Sequence, residues 1–122
     1  MIDSPFGLMP DAFRVEVQRC GTEVLIAVGG DLDMATAPHL QAEIERARTS
    51  DLTRLVLDLR GLEFMDSTGV VECCRLDARA REDGFSLEIV RGRPAVQRVF
   101  ALTALDLLLP LVDAPVALRA PG

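Results

Sequence analysis

The sequence predicts an α/β domain: a mixed, mostly parallel sheet with an antiparallel N-terminal strand and helices packed on it. Three observations carry this. Phe13, Val15 and Val17 alternate with Arg14, Glu16 and Gln18, the period of two that marks a half-buried strand. A turn-like Cys20-Gly21-Thr22 and a continuous apolar run, Val24 to Val28, follow, which together make a hairpin with a more buried second strand. Strand-like and helix-like segments then alternate to the end, and that order requires right-handed parallel crossovers.

The elements follow in turn. Gly29-Gly30-Asp31 is expected to end the second strand. The first helix has Thr36 as N-cap and Pro38 in its first turn, where proline is tolerated. Leu40, Ile44 and Ala47 form its inner stripe, with Gln41, Glu43, Glu45 and Arg46 outside. Thr49-Ser50-Asp51 breaks the pattern. Leu55 to Leu59 reads as a compact strand and Gly61 to Met65 as a loop. A second helix is expected from Ser67 to about Glu82, stopped at Asp83-Gly84. Phe85 to Val90 is the next strand. Pro94 opens a third helix with Val96, Val99, Phe100 and Thr103 as its stripe. Leu108 to Val112 is expected as a short edge strand, because proline is confined to edges. Asp113 to Arg119 is expected to add a last helical turn. The chain thus divides into a loose leader, 1–12, and one domain, 13–119.

At 122 residues and 49% apolar content the chain can bury one core. No apolar stretch approaches the ~20 residues of a membrane span. The N-terminus lacks a charged segment followed by an apolar one, so it does not read as a signal peptide. A cytoplasmic protein without membrane insertion is expected. The net charge of −6 disfavours direct nucleic-acid binding and favours a basic partner surface. All basic side chains are arginine. Three cysteines, two of them adjacent, disfavour a disulfide framework; they are read as reduced, with Cys73 and Cys74 on a partly buried helix face. One histidine, His39, cannot complete a Cys/His zinc set. Neither a metal nor a cofactor is expected.

Chemistry points to Met65-Asp66-Ser67-Thr68-Gly69, beyond the carboxyl end of a strand and at a helix start, where ligands gather in open α/β sheets. Taken alone, Asp-Ser-Thr before a helix is an ordinary cap. A phosphate on Ser67 would gain ~0.3–1 kcal/mol from free N–H groups and the helix dipole. It would also add about −1.5 to −2 charges beside Asp66 and near Asp31. The fold would tolerate that charge; a bound partner face would not.

Larger segments lend context. Gly30-Asp31-Leu32-Asp33-Met34-Ala35-Thr36-Ala37-Pro38 resembles a segment of bacterial anti-sigma-factor antagonists, the STAS-domain family. Leu57-Asp58-Leu59 and Gly61 through Gly69 resemble the family's core motif. Pro94 to Phe100 and Leu102 to Asp106 resemble its closing segments, so the likeness spans about residues 13–112. The resemblance implies a STAS domain that is not an enzyme. Ser67 would be phosphorylated by an anti-sigma factor serine kinase, which the unphosphorylated domain binds to free a sigma factor. A metal-dependent serine phosphatase would restore the serine. The partner surface would comprise Asp31, Asp33, Met65, Asp66, Thr68 and Gly69, with the loop to Ala35. An alternative from the same family is a regulatory subunit of a membrane-lipid transporter or larger signalling complex, binding without phosphorylation. Several positions depart from the family pattern. Glu72 is expected to point outward and alter the partner surface, Ala104 replaces a common glycine, and Leu107-Leu108-Leu109 is expected to expose an apolar spot.

Rival chemistries are weak. A serine hydrolase needs a base near Ser67, but His39 lies on the first helix among polar neighbours, and no G-x-S-x-G elbow exists. Asp31 and Asp66 have no spacing that marks an acid/base pair. No P-loop glycine-lysine run is present.

Overall fold

The computed structural model describes residues 12–114. The elements run β1 (Arg14–Cys20), β2 (Glu23–Leu32), α1 (Ala37–Ala47), β3 (Arg54–Met65), α2 (Ser67–Asp83), β4 (Ser86–Val90), α3 (Pro94–Thr103), a 3₁₀ turn (Leu105–Leu107) and β5 (Leu111–Val112). Their spatial order in the sheet is also β1-β2-β3-β4-β5. The β1–β2 pair is antiparallel, joined at Gly21-Thr22, and the remaining pairs are parallel. The expected α/β architecture is therefore the observed one. The leader lies outside the described residues except for Ala12. So does the expected terminal helix beyond Asp113 and Ala114, which form a bend.

Each crossover moves one strand further in the same direction. Right-handed connections then put all three helices on one face. The alternating residues Val24, Ile26 and Val28 of β2 and Leu55, Leu57 and Leu59 of β3 are buried there. They join Leu40 and Ile44 of α1, Val70, Cys73 and Leu76 of α2, and Val96 and Phe100 of α3 in one core. Each such side chain contributes about 1.5–3 kcal/mol by leaving water. α1 packs on β1, β2 and α2, while α3 packs on β3 and α2. Arg54, which alternates with Leu55, donates to Glu23 Oε1 and Glu88 Oε1 at 3.0 Å each. Its guanidinium thereby links β2, β3 and β4.

Two strands are longer than their side-chain patterns suggest. β2 does not stop at Gly29-Gly30-Asp31, and residues 61–65 are strand rather than loop. Main-chain pairing continues through Gly29↔Gly61, Gly30↔Leu62, Asp31↔Phe64 and Leu32↔Met65. Two register shifts interrupt it, between Ala27 and Gly29 and between Gly30 and Asp31. Alternation is lost at such bulges although the ladder persists. Gly30 takes φ 84°, which only glycine adopts without strain. At the other edge, Pro110 precedes β5 instead of lying within it. The 3₁₀ turn occupies part of the stretch expected as strand. Leu109 is buried, while Leu107 and Leu108 are exposed, so two of the three leucines expected to form an apolar spot are exposed; Leu102 is exposed as well.

Ala104 closes α3 in the left-handed region, with φ 60°. Glycine suits that position better, because an L-residue's Cβ crowds the adjacent carbonyl. Ala104→Gly is expected to raise unfolding free energy by roughly 0.5–1 kcal/mol, the residual after glycine's larger unfolded-state entropy is subtracted. Urea denaturation checks this; a lowered midpoint would mean that the turn carries no strain.

Candidate functional site

The paired ends of β2 and β3 deliver two segments to one place. After Leu32 the chain enters the loop 33–36, and after Met65 it enters α2. Asp66 N–H donates to the Leu32 carbonyl at 3.3 Å and so clips the two segments together. Asp66 is the N-cap of α2: its carboxylate accepts from Thr68 N–H at 2.8 Å, and its carbonyl accepts from Gly69 N–H at 3.0 Å. Ser67 is the first helical residue and is exposed. Its hydroxyl makes no hydrogen bond to another described residue. The N–H groups of Thr68 and Gly69 are already engaged by Asp66. A phosphate on Ser67 would thus find a helix end whose charge is partly neutralised.

Met65 and Gly69 differ from their expected role. Both are buried, Met65 beneath the first turn of α2. A Cβ on Gly69 would collide with Met65 Cγ and Sδ and stand 3.1 Å from Leu32 Cδ2. In this structure these two residues support the turn from below and do not form its outer surface. Asp31 is exposed, and Asp33, Asp66 and Thr68 are half-buried.

The loop is held by its own polar side chains. Asp33 Oδ1 accepts from Ala35 N–H at 3.0 Å and Thr36 N–H at 3.1 Å. Thr36 Oγ1 donates to the Asp31 carbonyl at 2.8 Å and accepts from Asp33 N–H at 3.0 Å. Thr36 is the N-cap residue of α1, as expected, but its side chain caps no helical N–H. It ties the loop back to β2 instead, and Asp33 forms an Asx-type turn.

Three apolar side chains at this end were not singled out by the sequence. Met34 in the loop is 78% exposed, and Phe64, opposite Asp31 in the ladder, is 50% exposed. Val71, one turn below Ser67, is also exposed. The extra residue that β3 gains at the register shift places Phe64 on the outside; a bulge of this kind has no side-chain signature of its own. Exposed apolar groups at the same end of the domain as an exposed hydroxyl suit protein contact.

Glu72 contradicts its expected outward direction. It is buried between α1 and α2, where Oε2 accepts from Gln41 Nε2 at 2.8 Å. Its other partner, Arg75, stands at 3.7 Å. Gln41 was read as an outer residue, but its amide gives the buried carboxylate a partner, and that makes burial tolerable. Cys73 is wholly buried, and desolvation, aided by the neighbouring Cys74 and Glu72, pushes its thiol well above the ordinary range. A redox role for it is disfavoured. His39 is exposed, sets its ring edge-on to Phe13 at 5.4 Å, and lies 3.8 Å from Glu43. Among the described residues no group of three or more His, Cys, Asp or Glu could hold a metal ion, and no helix is long and apolar enough to cross a membrane.

A five-stranded mixed sheet with helices on one face and a serine following an N-cap aspartate at the β3–α2 junction defines the class of small α/β domain to which the chain belongs. A family model described as "Mlab, STAS domain" matches residues 15–112, and the chain belongs to the STAS-domain family. It is 33% identical over 61 residues to the anti-sigma-F factor antagonist RsfB of Mycobacterium tuberculosis; the match covers 50% of each protein. The chain thus spans about half the length of that relative. A crystal structure of an anti-sigma factor antagonist from Mycobacterium paratuberculosis superposes with a TM-score of 0.69 at 30% identity, covering 86% of this chain and 89% of that one. SpoIIAA in its unphosphorylated form, also an anti-sigma factor antagonist, gives a TM-score of 0.66 at 26% identity, covering 85% and 89%.

Close packing under the first turn of α2 has a measurable cost when disturbed. Gly69→Ala is expected to destabilise the domain by about 1–3 kcal/mol, because Met65 must move aside in a filled core. Chemical denaturation measures the loss. An unchanged midpoint would show that Met65 has room to yield.

Proposed function

We propose that the domain is an anti-sigma factor antagonist regulated at Ser67. Unphosphorylated, it binds an anti-sigma factor serine kinase and thereby releases a sigma factor. Phosphorylation of Ser67 switches it off, and a metal-dependent serine phosphatase restores it. The observation that carries this reading is an exposed hydroxyl at the start of α2, without a hydrogen bond to another described residue, at the same end of the sheet as exposed Met34, Phe64 and Val71. Likeness to anti-sigma factor antagonists supports it, and so does the fact that one such structure is defined as an unphosphorylated form. The proposed compartment is the cytoplasm, where kinase and sigma factor would meet.

The chemistry of the switch follows from charge and burial. The proposed partner face comprises Asp31, Asp66, Thr68 and the apolar rim, with Asp33, Met65 and Gly69 holding it in shape. Docking would remove Phe64 and Met34 from water, a gain of about 25 cal/mol per Å² of apolar surface. A phosphate at the centre would have to be desolvated beside Asp66, whose carboxylate already occupies the cap. That penalty opposes association without unfolding the domain. No cofactor takes part in this scheme, and the domain is the object of catalysis by other proteins.

Incubation with the cognate kinase and ATP is expected to add one phosphate, mapped to Ser67 by mass spectrometry; a phosphate on Thr68 instead, or none, would overturn the switch. Ser67→Asp is expected to weaken kinase binding in calorimetry while the thermal midpoint stays within a few degrees, as for most surface changes of about 0.5 kcal/mol. Full affinity in that variant would mean that charge is not the signal. Phe64→Ala should weaken the same complex by roughly tenfold if the aromatic ring anchors the contact. Binding to a lipid-transporter subunit, equal for Ser67→Ala and Ser67→Asp, would favour the phosphorylation-independent alternative.

A further inference from the structure

A groove of about 280 Å³ runs between α1 and α2, lined by Ile44 and Leu76, by Arg48, Arg75 and Arg79, and by the carboxylates Glu45 and Glu72 with Gln41 beside them. It lies on the flank of α2. Arg75 is eight residues past Ser67, about 12 Å along the axis at 1.5 Å per residue. The two aliphatic side chains give it an apolar floor. Three guanidiniums line it, Arg75 and Arg79 from α2 and Arg48 from the C-cap of α1, in a chain whose net charge is −6. Arg75 and Arg79 are four residues apart on one helix face, an arrangement that repels unless an anion intervenes.

One anion does intervene, and it shows what the groove accepts. The Glu45 carboxylate takes a hydrogen bond from Arg48 Nη1 at 2.8 Å and one from Arg79 Nη2 at 3.3 Å. It bridges the helices while 60% of its side chain remains exposed. Arg48 is also held by Asp83. Arg75 is 68% exposed, with only the 3.7 Å contact to Glu72. The carboxylate position therefore lies between Arg48, which Asp83 also holds, and Arg79, is occupied by a largely exposed side chain, and shares its groove with a third, weakly engaged guanidinium.

We propose that this groove is a binding site for a small oxyanion, a phosphate or carboxylate group, which displaces Glu45 and bridges Arg48, Arg79 and Arg75. The planar forks of arginine match both kinds of group, and a doubly charged one competes best with a single carboxylate. An organic substituent on the anion would lie over Ile44 and Leu76. The site is separate from Ser67 and independent of its phosphorylation.

The test is an NMR titration of the full-length protein at constant ionic strength, with inorganic phosphate and with succinate as probes, following the arginine Nε–H and backbone signals. Saturable shifts at Arg48, Arg75 and Arg79 are expected. Response to both probes identifies a general oxyanion site, and response to one assigns its chemistry. Glu45→Gln removes the internal competitor and should tighten binding by about tenfold, while Arg79→Ala should weaken it by a similar factor, the range of one charge-assisted hydrogen bond. Shifts confined to residues 67–69, no saturation, or equal affinity in wild type and both variants would overturn the proposal. Both substitutions are at the surface, and unchanged backbone spectra elsewhere establish that the fold is intact.

Discussion

The structure depends above all on the long parallel pairing of β2 and β3. This ladder buries the most apolar segments of the chain, and it continues past both bulges to Leu32 and Met65. Because the two strands end together, the loop that follows one and the helix that follows the other start side by side. The Asp66–Leu32 hydrogen bond and the contact of Gly69 with Met65 and Leu32 then leave little freedom in the placement of Ser67. Everything functional in the proposed switch is positioned by sheet register, and the side chains of the loop only refine it.

Asp66 has two roles that pull in different directions. As an N-cap it is expected to contribute about 1 kcal/mol to α2. As a fixed negative charge it weakens the helix end as a holder of anions. The sequence alone suggests a cap whose free N–H groups would welcome a phosphate. In the folded chain the N–H groups of Thr68 and Gly69 are engaged by Asp66, so a phosphate on exposed Ser67 would find fewer free donors than the sequence suggests. A group that the fold does not embrace is one that other proteins can read and remove.

The periodic part of the fold was legible in the sequence. Phe13 and Val15 alternate and Leu40, Ile44 and Ala47 form a stripe because one face of each element meets the core, while Val24 to Val28 is a continuous apolar run in a buried strand; Val17 keeps the alternation but is exposed. The parts that were not legible depend on partners distant in sequence. Residues 61–65 lack a strand pattern, since the extra residues that β3 carries at the two register shifts break alternation while its hydrogen bonds run to a glycine-rich neighbour. Glu72 reads as a surface charge until Gln41, 31 positions earlier, is seen to face it. Thr36 reads as a helix cap, but its hydroxyl has a better partner in the Asp31 carbonyl. Phe64 carries no sign of its exposure in the sequence, because that exposure follows from one extra residue in β3. At the site, the position of Ser67 was plain from its strand-to-helix setting. The burial of Met65 and Gly69 was not, because a glycine does not announce what it is packed against.

The clip between Asp66 and Leu32 also bears on dosage. The two surfaces near Ser67 come from segments more than thirty positions apart and adjoin only while the β2–β3 ladder is intact. A partner that grips both can therefore bind only intact copies. Frayed or partly unfolded molecules drop out of the count without being modified, and the abundance that a cell perceives is that of folded domain, not of polypeptide.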